Sequence, residues 1–400
     1  MTFDVSAVRA EFPSLAAGAA HFDGPGGSQT PLMVARAIAD TLVSPIANRG
    51  TVTLAERNSD EIVHEARAAM ADLLGADPGG IVFGRSMTQL TFDLARTLAA
   101  GWTAGDEVLV SRLDHDANVR PWVICAERAG ATVRWIDFDP ASTELTADHV
   151  AEQLTERTRL VAVTGASNLV GTRPDLAAIA ALVHGVGALL YVDGVHLAAH
   201  SGVDVAALGA DFFSCSPYKF FGPHLGVLAA APALLETLHP DKLAPSTDAV
   251  PERFELGTLP YELLAGTTAT VDFLAAMAGA GSGSRRQRIL ASMAAAEEHE
   301  DGLRQRIEAG LGDLDPVTLH SRARHRTPTL LVTFAGRSAQ DAYRFLAELD
   351  VNAPAGTFYA YEPARRMALP DGGGLRIGLA PYNDDSDADR LLEGLAKFLG

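Results

Sequence analysis

Cysteine is almost missing from this chain. Among 400 residues only Cys125 and Cys215 occur, too few for a disulfide framework or a cysteine metal cluster. Paired histidine and carboxylate spacings of a metal enzyme are lacking too, so no metal is expected. Basic residues are in short supply: 32 Lys+Arg against 50 Asp+Glu leave a net charge of −18. That balance argues against nucleic acid and against an anionic membrane surface as partners. Apolar runs such as 182–190 are broken by His and Gly and are too short to span a bilayer. The N-terminus has no basic stretch followed by an apolar one, so no signal peptide is expected and the reduced cytoplasm is the default compartment. No Gly-x-Gly-x-x-Gly turn follows an early strand, and no Walker lysine pattern occurs, which disfavours nicotinamide and nucleotide-phosphate chemistry. What remains is 48% hydrophobic and 20% charged, an ordinary globular composition with length for two domains.

Strand patterns at 81–84, 107–110, 132–136, 160–164, 188–193, 212–215 and 226–230 alternate with helical ones at 89–98, 119–129 and 175–185. Such alternation predicts a mostly parallel sheet covered on both faces. Helices are also expected at 3–12, 32–43, 55–74 and 261–278. The Gly/Ser-rich break 279–284 reads as a domain boundary. A long charged helix, 285–310, follows it. Strands 329–334 and 375–379, with helices 338–349 and 385–399, then predict a small α+β domain.

The chemistry gathers around Asp211–Gly222, where one lysine, Lys219, sits among aromatics before Gly222-Pro223. A desolvated lysine is a usable amine nucleophile. The strand 188–193 ends in a carboxylate, Asp193. This pair suits pyridoxal phosphate: the lysine holds the cofactor covalently and the aspartate keeps the ring nitrogen protonated. Two residues alone leave a snorkelling lysine and a helix-capping aspartate as the alternative. Other residues fall at the same ends of strands. Arg85-Ser-Met-Thr88 is a strand-to-helix turn fit for a phosphate, or an ordinary N-cap. His115 and Asn168 each come just after a strand, and parallel sheets place ligands there. The loop His21–Pro31, rich in glycine, lets backbone N–H groups approach a ligand.

Taken together, the loop 21–31, Asn48-Arg-Gly50, 85–88, Asp114-His115 with Asn118 and Pro121-Trp122, Ser167-Asn168 with Gly171-Thr172, Asp193-Gly-Val-His196, Ser216–Lys219, Arg253–Thr258, and Leu375-Arg376 with Tyr382-Asn383 resemble the class V aminotransferase family of pyridoxal-phosphate enzymes. The branch is that of cysteine desulfurases and selenocysteine lyases. The resemblance implies the fold-type I α/β architecture. It places a large cofactor domain with a mainly parallel, seven-stranded-type sheet at 21–259. A small α+β domain with its linking helix comprises 1–20 and 260–400. It further implies pyridoxal 5′-phosphate as cofactor, an amino-acid-like substrate, and a homodimer with shared active sites. In that reading Lys219 carries the cofactor, Asp193 partners its ring nitrogen and His115 stacks on its ring. Asn168 and His196 stand near its phenolic oxygen. Ser86, Met87, Thr88, Ser216 and Tyr218 surround the phosphate and ring, with Gly257 and Thr258 supplied by the other subunit. Gly26, Arg49, Asn168 and Arg376 meet the substrate, Arg376 gripping its carboxylate. Desulfurases carry a nucleophilic cysteine on a late loop; here the matching run is Pro354–Ala360, with Tyr359 at or beside that position. Ser-Met-Thr also replaces Gly-Thr-Thr, and Pro217-Tyr218 replaces Gly-His. The implied activity is therefore a lyase cleaving a C–S or other Cβ–X bond without a persulfide. An aminotransferase, an epimerase, or a decarboxylating or aldol-type enzyme is the alternative.

Overall fold

The computed structural model describes residues 3–279 and 281–400. Seven strands build the main sheet: β1 Ile81–Gly84, β2 Glu107–Ser111, β3 Thr132–Ile136, β4 Thr158–Thr164, β5 Leu189–Asp193, β6 Phe212–Cys215 and β7 Gly226–Ala230. Their order across the sheet is β1-β7-β6-β5-β4-β2-β3. All run parallel except β7, which is antiparallel to both its neighbours. The strands are near-continuous apolar runs because both faces are covered. Leu190 and Val192 enter one core with Phe213 and Val163. Tyr191, between them, enters the opposite core with Phe212 and Trp122. The parallel register aligns Thr164, Asp193 and Ser214 in one row at the carboxyl ends of β4, β5 and β6.

Two local features position the site. The helix Met87–Ala99 starts directly after β1, capped by the Ser86 hydroxyl accepting from Gln89 N at 3.1 Å. It lies so close to β7 that a Cβ on Gly226 would stand 2.2 Å from the carbonyl carbon of Ser86, so this contact requires glycine. The glycine-rich loop begins at the edge of the other domain, where Ala20–His21 pairs parallel with Val351–Asn352. It ends against the lysine loop: Ser28 N donates to Tyr218 O at 3.1 Å, and Phe221 N donates to Ser28 Oγ at 2.7 Å.

The small domain is a four-stranded antiparallel sheet in the order Ala355–Gly356, Gly374–Gly378, Thr329–Phe334, Val317–Leu319. Leu330, Val332, Leu375, Ile377 and Leu391 form its separate core. The helix Arg285–Gly312 touches both the large-domain helix Leu54–Leu74 and the terminal helix Asp385–Leu399. The expected seven-stranded-type α/β layout with a small α+β domain is thus the observed one. The two-residue strands at 20–21, 351–352 and 355–356 and the short helix Pro232–Glu236 were not expected. Elements that short have no periodicity to read, and only their tertiary partners define them.

Candidate active site

Because the strands are parallel, their carboxyl ends converge, and a cavity of about 660 Å³ opens there. Gly26, Ser86, Met87, Thr88, His115, Asn168, Asp193, His196, Ser216, Tyr218, Lys219, Tyr359 and Arg376 all line it. Three residues singled out from the sequence lie outside it within the same chain. Arg49 is held by Asp60 at 2.8 Å and Glu252 at 3.0 Å. Gly257 and Thr258 are exposed, and Thr258 borders a separate cleft with His224 and Arg85.

At the floor, Asp193 is buried and its Oδ1 accepts from Val195 N at 3.0 Å. Burial raises its carboxyl to about 6, against the pull of that N–H and of Lys219. Lys219 Nζ donates to the carbonyl of Pro25 and lies 4.8 Å from the Tyr218 ring centroid. Burial, then the nearby Arg376 charge, bring its amine down to about 7, with Asp193 opposing. An amine so tuned is largely available as a base near neutrality. Burial and the Lys219 charge likewise hold His115 down at about 4. Its ring is therefore neutral at physiological pH. The Nδ1 of His115 accepts from Ala117 N at 3.0 Å, which fixes its orientation. His196 is buried against the small domain, its Nε2 within 2.9 Å of Thr327 Oγ1 and 3.0 Å of Thr329 Oγ1.

Arg376 reaches in from the strand Gly374–Gly378, 2% exposed. Its Nη1 donates to Asn168 O at 3.0 Å, while its buried Nε has no partner. The Oδ1 of Asn168 is also buried and unpartnered. Burial lowers the guanidinium to about 9, with Asp23 opposing, so it remains a cation at neutral pH. Buried polar groups without partners cost stability unless a ligand satisfies them. Phe358 covers one face of this guanidinium, its ring centroid 3.7 Å from Cζ. Phe358 and Tyr359 are both left-handed, at φ 54° and 57°. Their carbonyls are pinned by Asn168 Nδ2 at 3.0 Å and Asp116 N at 2.8 Å.

Several lining residues carried no sequence signal strong enough to single them out: Pro25, Phe92, Asp116, Arg120 and Val195. Three of them carried a weak one. Asp116 and Arg120 are an i,i+4 acid–base pair directly after His115, and Phe92 lies one helical turn past Thr88. The donor set fits pyridoxal phosphate. A buried carboxylate, an amine and a neutral imidazole line the space together with Ser216 and the first turn of the helix Met87–Ala99, whose N-terminal end favours an anion.

The chain matches the Aminotransferase class-V family over residues 20–391. It is 32% identical to an uncharacterized protein of Mycobacterium tuberculosis (strain CDC 1551 / Oshkosh), covering all of both chains. It is 31% identical to the Aminotransferase-like protein FGM3 of Gibberella zeae, covering all of this chain and 99% of that one. Among solved structures it superposes on the cysteine desulfurase CsdA (S-sulfonic acid) from Escherichia coli with a TM-score of 0.87 and 27% identity, over 99% of this chain and 98% of that one. The cavity at the strand ends and these likenesses agree: the chain belongs to the Aminotransferase class-V family and is a pyridoxal 5′-phosphate-dependent enzyme of the lyase or transferase type.

Proposed function

We propose that this enzyme acts on an amino acid, or an amine bearing a carboxylate, and eliminates a leaving group from Cβ without forming a persulfide. The observation that carries this reading is the late loop over the cavity, which presents Phe358 and Tyr359 and no thiol. Both cysteines are buried and neither lines the cavity. Burial pushes the Cys215 thiol up, so it packs as a small apolar group rather than a nucleophile. The bound cofactor supplies an electron sink for charge released at Cα. The chain's own residues do the rest. Arg376 grips the carboxylate, a task for a planar fork of donors. Lys219 Nζ takes the Cα proton, Asp193 holds a proton on the ring nitrogen, and His115 and Asn168 keep ring and substrate in place. Tyr359 stands at the mouth, able to donate a proton to a departing group.

Gly257 and Thr258 lie outside their own chain's cavity, in keeping with a homodimer in which a partner completes each phosphate site; Arg49, expected at the substrate, is held by Asp60 and Glu252 within its own chain. None of the helices among the described residues is long and apolar enough to cross a membrane, and we place the activity in the cytoplasm.

The test is a product survey. Cofactor-loaded protein is incubated with a panel of amino acids, and products are identified by mass. A keto acid with ammonia and the released leaving group is the expected outcome. Alanine with a persulfide on either cysteine would overturn the reading. Product formed only with a keto-acid acceptor would favour an aminotransferase.

A further inference from the structure

Taking Arg376 as the carboxylate anchor, as proposed above, we infer that the substrate's side chain is neutral and apolar, branched or aromatic, and that Phe358 and Tyr359 select it. The first support is a charge inventory of the cavity. Lys219 and Asp193 are committed to the cofactor, and Arg376 to the α-carboxylate. Among the described lining residues of this chain only Asp116 and Arg120 remain, and they neutralise each other; Arg49, outside the cavity, is itself paired with Asp60 and Glu252. Arg120 Nη2 lies 2.7 Å from Asp116 Oδ1, and its Nε lies 3.2 and 3.3 Å from the two oxygens. Glu362 adds a second carboxylate at 3.9 Å. A second carboxylate or an ammonium on the substrate therefore finds no counter-charge that is not already paired, whereas an apolar side chain needs none. The two lining histidines, His115 and His196, are both kept neutral by their surroundings.

The second support is the loop itself. Left-handed backbone at two successive bulky residues costs roughly 1–3 kcal/mol each and persists where the surroundings enforce it, characteristically at ligand clamps. The bonds from Asn168 and Asp116 enforce it here. The conformation delivers two aromatic rings over the cavity. Phe358 lies on the Arg376 guanidinium, so a carboxylate on Arg376 sets the remainder of its molecule alongside Phe358 and Tyr359. The Tyr359 ring, 5.6 Å from the His115 ring at 33°, is 77% exposed. A substrate side chain packed against it removes apolar surface from water, whereas a short polar one leaves it wet.

Carboxylates lacking a primary amino group cannot form an imine with the cofactor, so they probe this wall directly. Calorimetry on the cofactor-loaded enzyme would compare phenylpropionate and isocaproate with succinate, 4-(trimethylammonio)butyrate and acetate. Phenylpropionate is expected to bind about tenfold or more tighter than succinate. Tyr359→Ala should remove about tenfold of that preference and leave acetate affinity unchanged, and Tyr359→Phe should restore it. Because Tyr359 is exposed, neither change threatens folding. Succinate or 4-(trimethylammonio)butyrate binding as tightly as phenylpropionate would overturn the inference. So would an unchanged preference in Tyr359→Ala. A chain that takes up no pyridoxal phosphate would sink the underlying reading along with it; a loaded chain with the wrong ligand preference sinks this inference alone.

Discussion

Replacing Lys219 by methionine should make the cofactor-free protein more stable, although it abolishes function. Folding brings the amine from 10.5 down to about 7. At about 1.36 kcal/mol per pKa unit, keeping that amine protonated in the fold costs on the order of 5 kcal/mol. Two effects trim the gain. Methionine loses the bond that Nζ donates to the Pro25 carbonyl, roughly 1.5–3 kcal/mol for a charged donor. Water entering the cavity also reaches the amine, so its desolvation is incomplete. About 2 kcal/mol of net stabilisation is left. The sign with pH follows from the lowered folded value. Below about 7 both states carry the proton and the full penalty is present. Between about 7 and 10.5 only the unfolded chain holds it, so wild-type stability climbs with pH. The advantage of Lys219→Met should therefore be greatest near pH about 6 and nearly gone near pH about 10. Urea unfolding of both cofactor-free proteins at those two values measures it. A variant no more stable than wild type at the lower pH, or an advantage unchanged at the higher one, would refute the burial argument.

Arg376→Lys should raise the KM for carboxylate substrates by roughly 10- to 100-fold, the worth of a charge-assisted bidentate contact, while the visible spectrum of the bound cofactor stays unchanged; equal loss of both would make Arg376 a structural residue. Cofactor affinity should fall as pH drops below about 6, where Asp193 gains the proton that burial favours and can no longer pair with a cationic ring nitrogen; a spectroscopic titration that is flat from acid to neutral pH would contradict this. A mixture of Lys219→Ala and Thr258→Pro chains should recover activity that neither homodimer has, if each site borrows Thr258 from a partner, and a fully active monomer in sedimentation would exclude such sharing.

The chain by itself determined the large sheet. Its seven strands are runs of apolar residues between helices, and a parallel sheet sends all carboxyl ends to one side. Thr88, His115, Asn168 and Asp193 thus assemble from their positions at and after strand ends alone. Local sequence did not place Pro25, whose carbonyl meets Lys219 across 194 residues of chain. Nor did it place Arg376 against Asn168, 208 residues apart, or seat Phe358 on that guanidinium. Those contacts exist because the glycine-rich loop and the small-domain strand are carried to the sheet by packing elsewhere. The proton affinities of Asp193, Lys219 and His115 belong to the same category. A strand pattern says where a carboxylate or an amine stands, but desolvation is the sum over every segment that excludes water from it, and only the folded chain performs that sum.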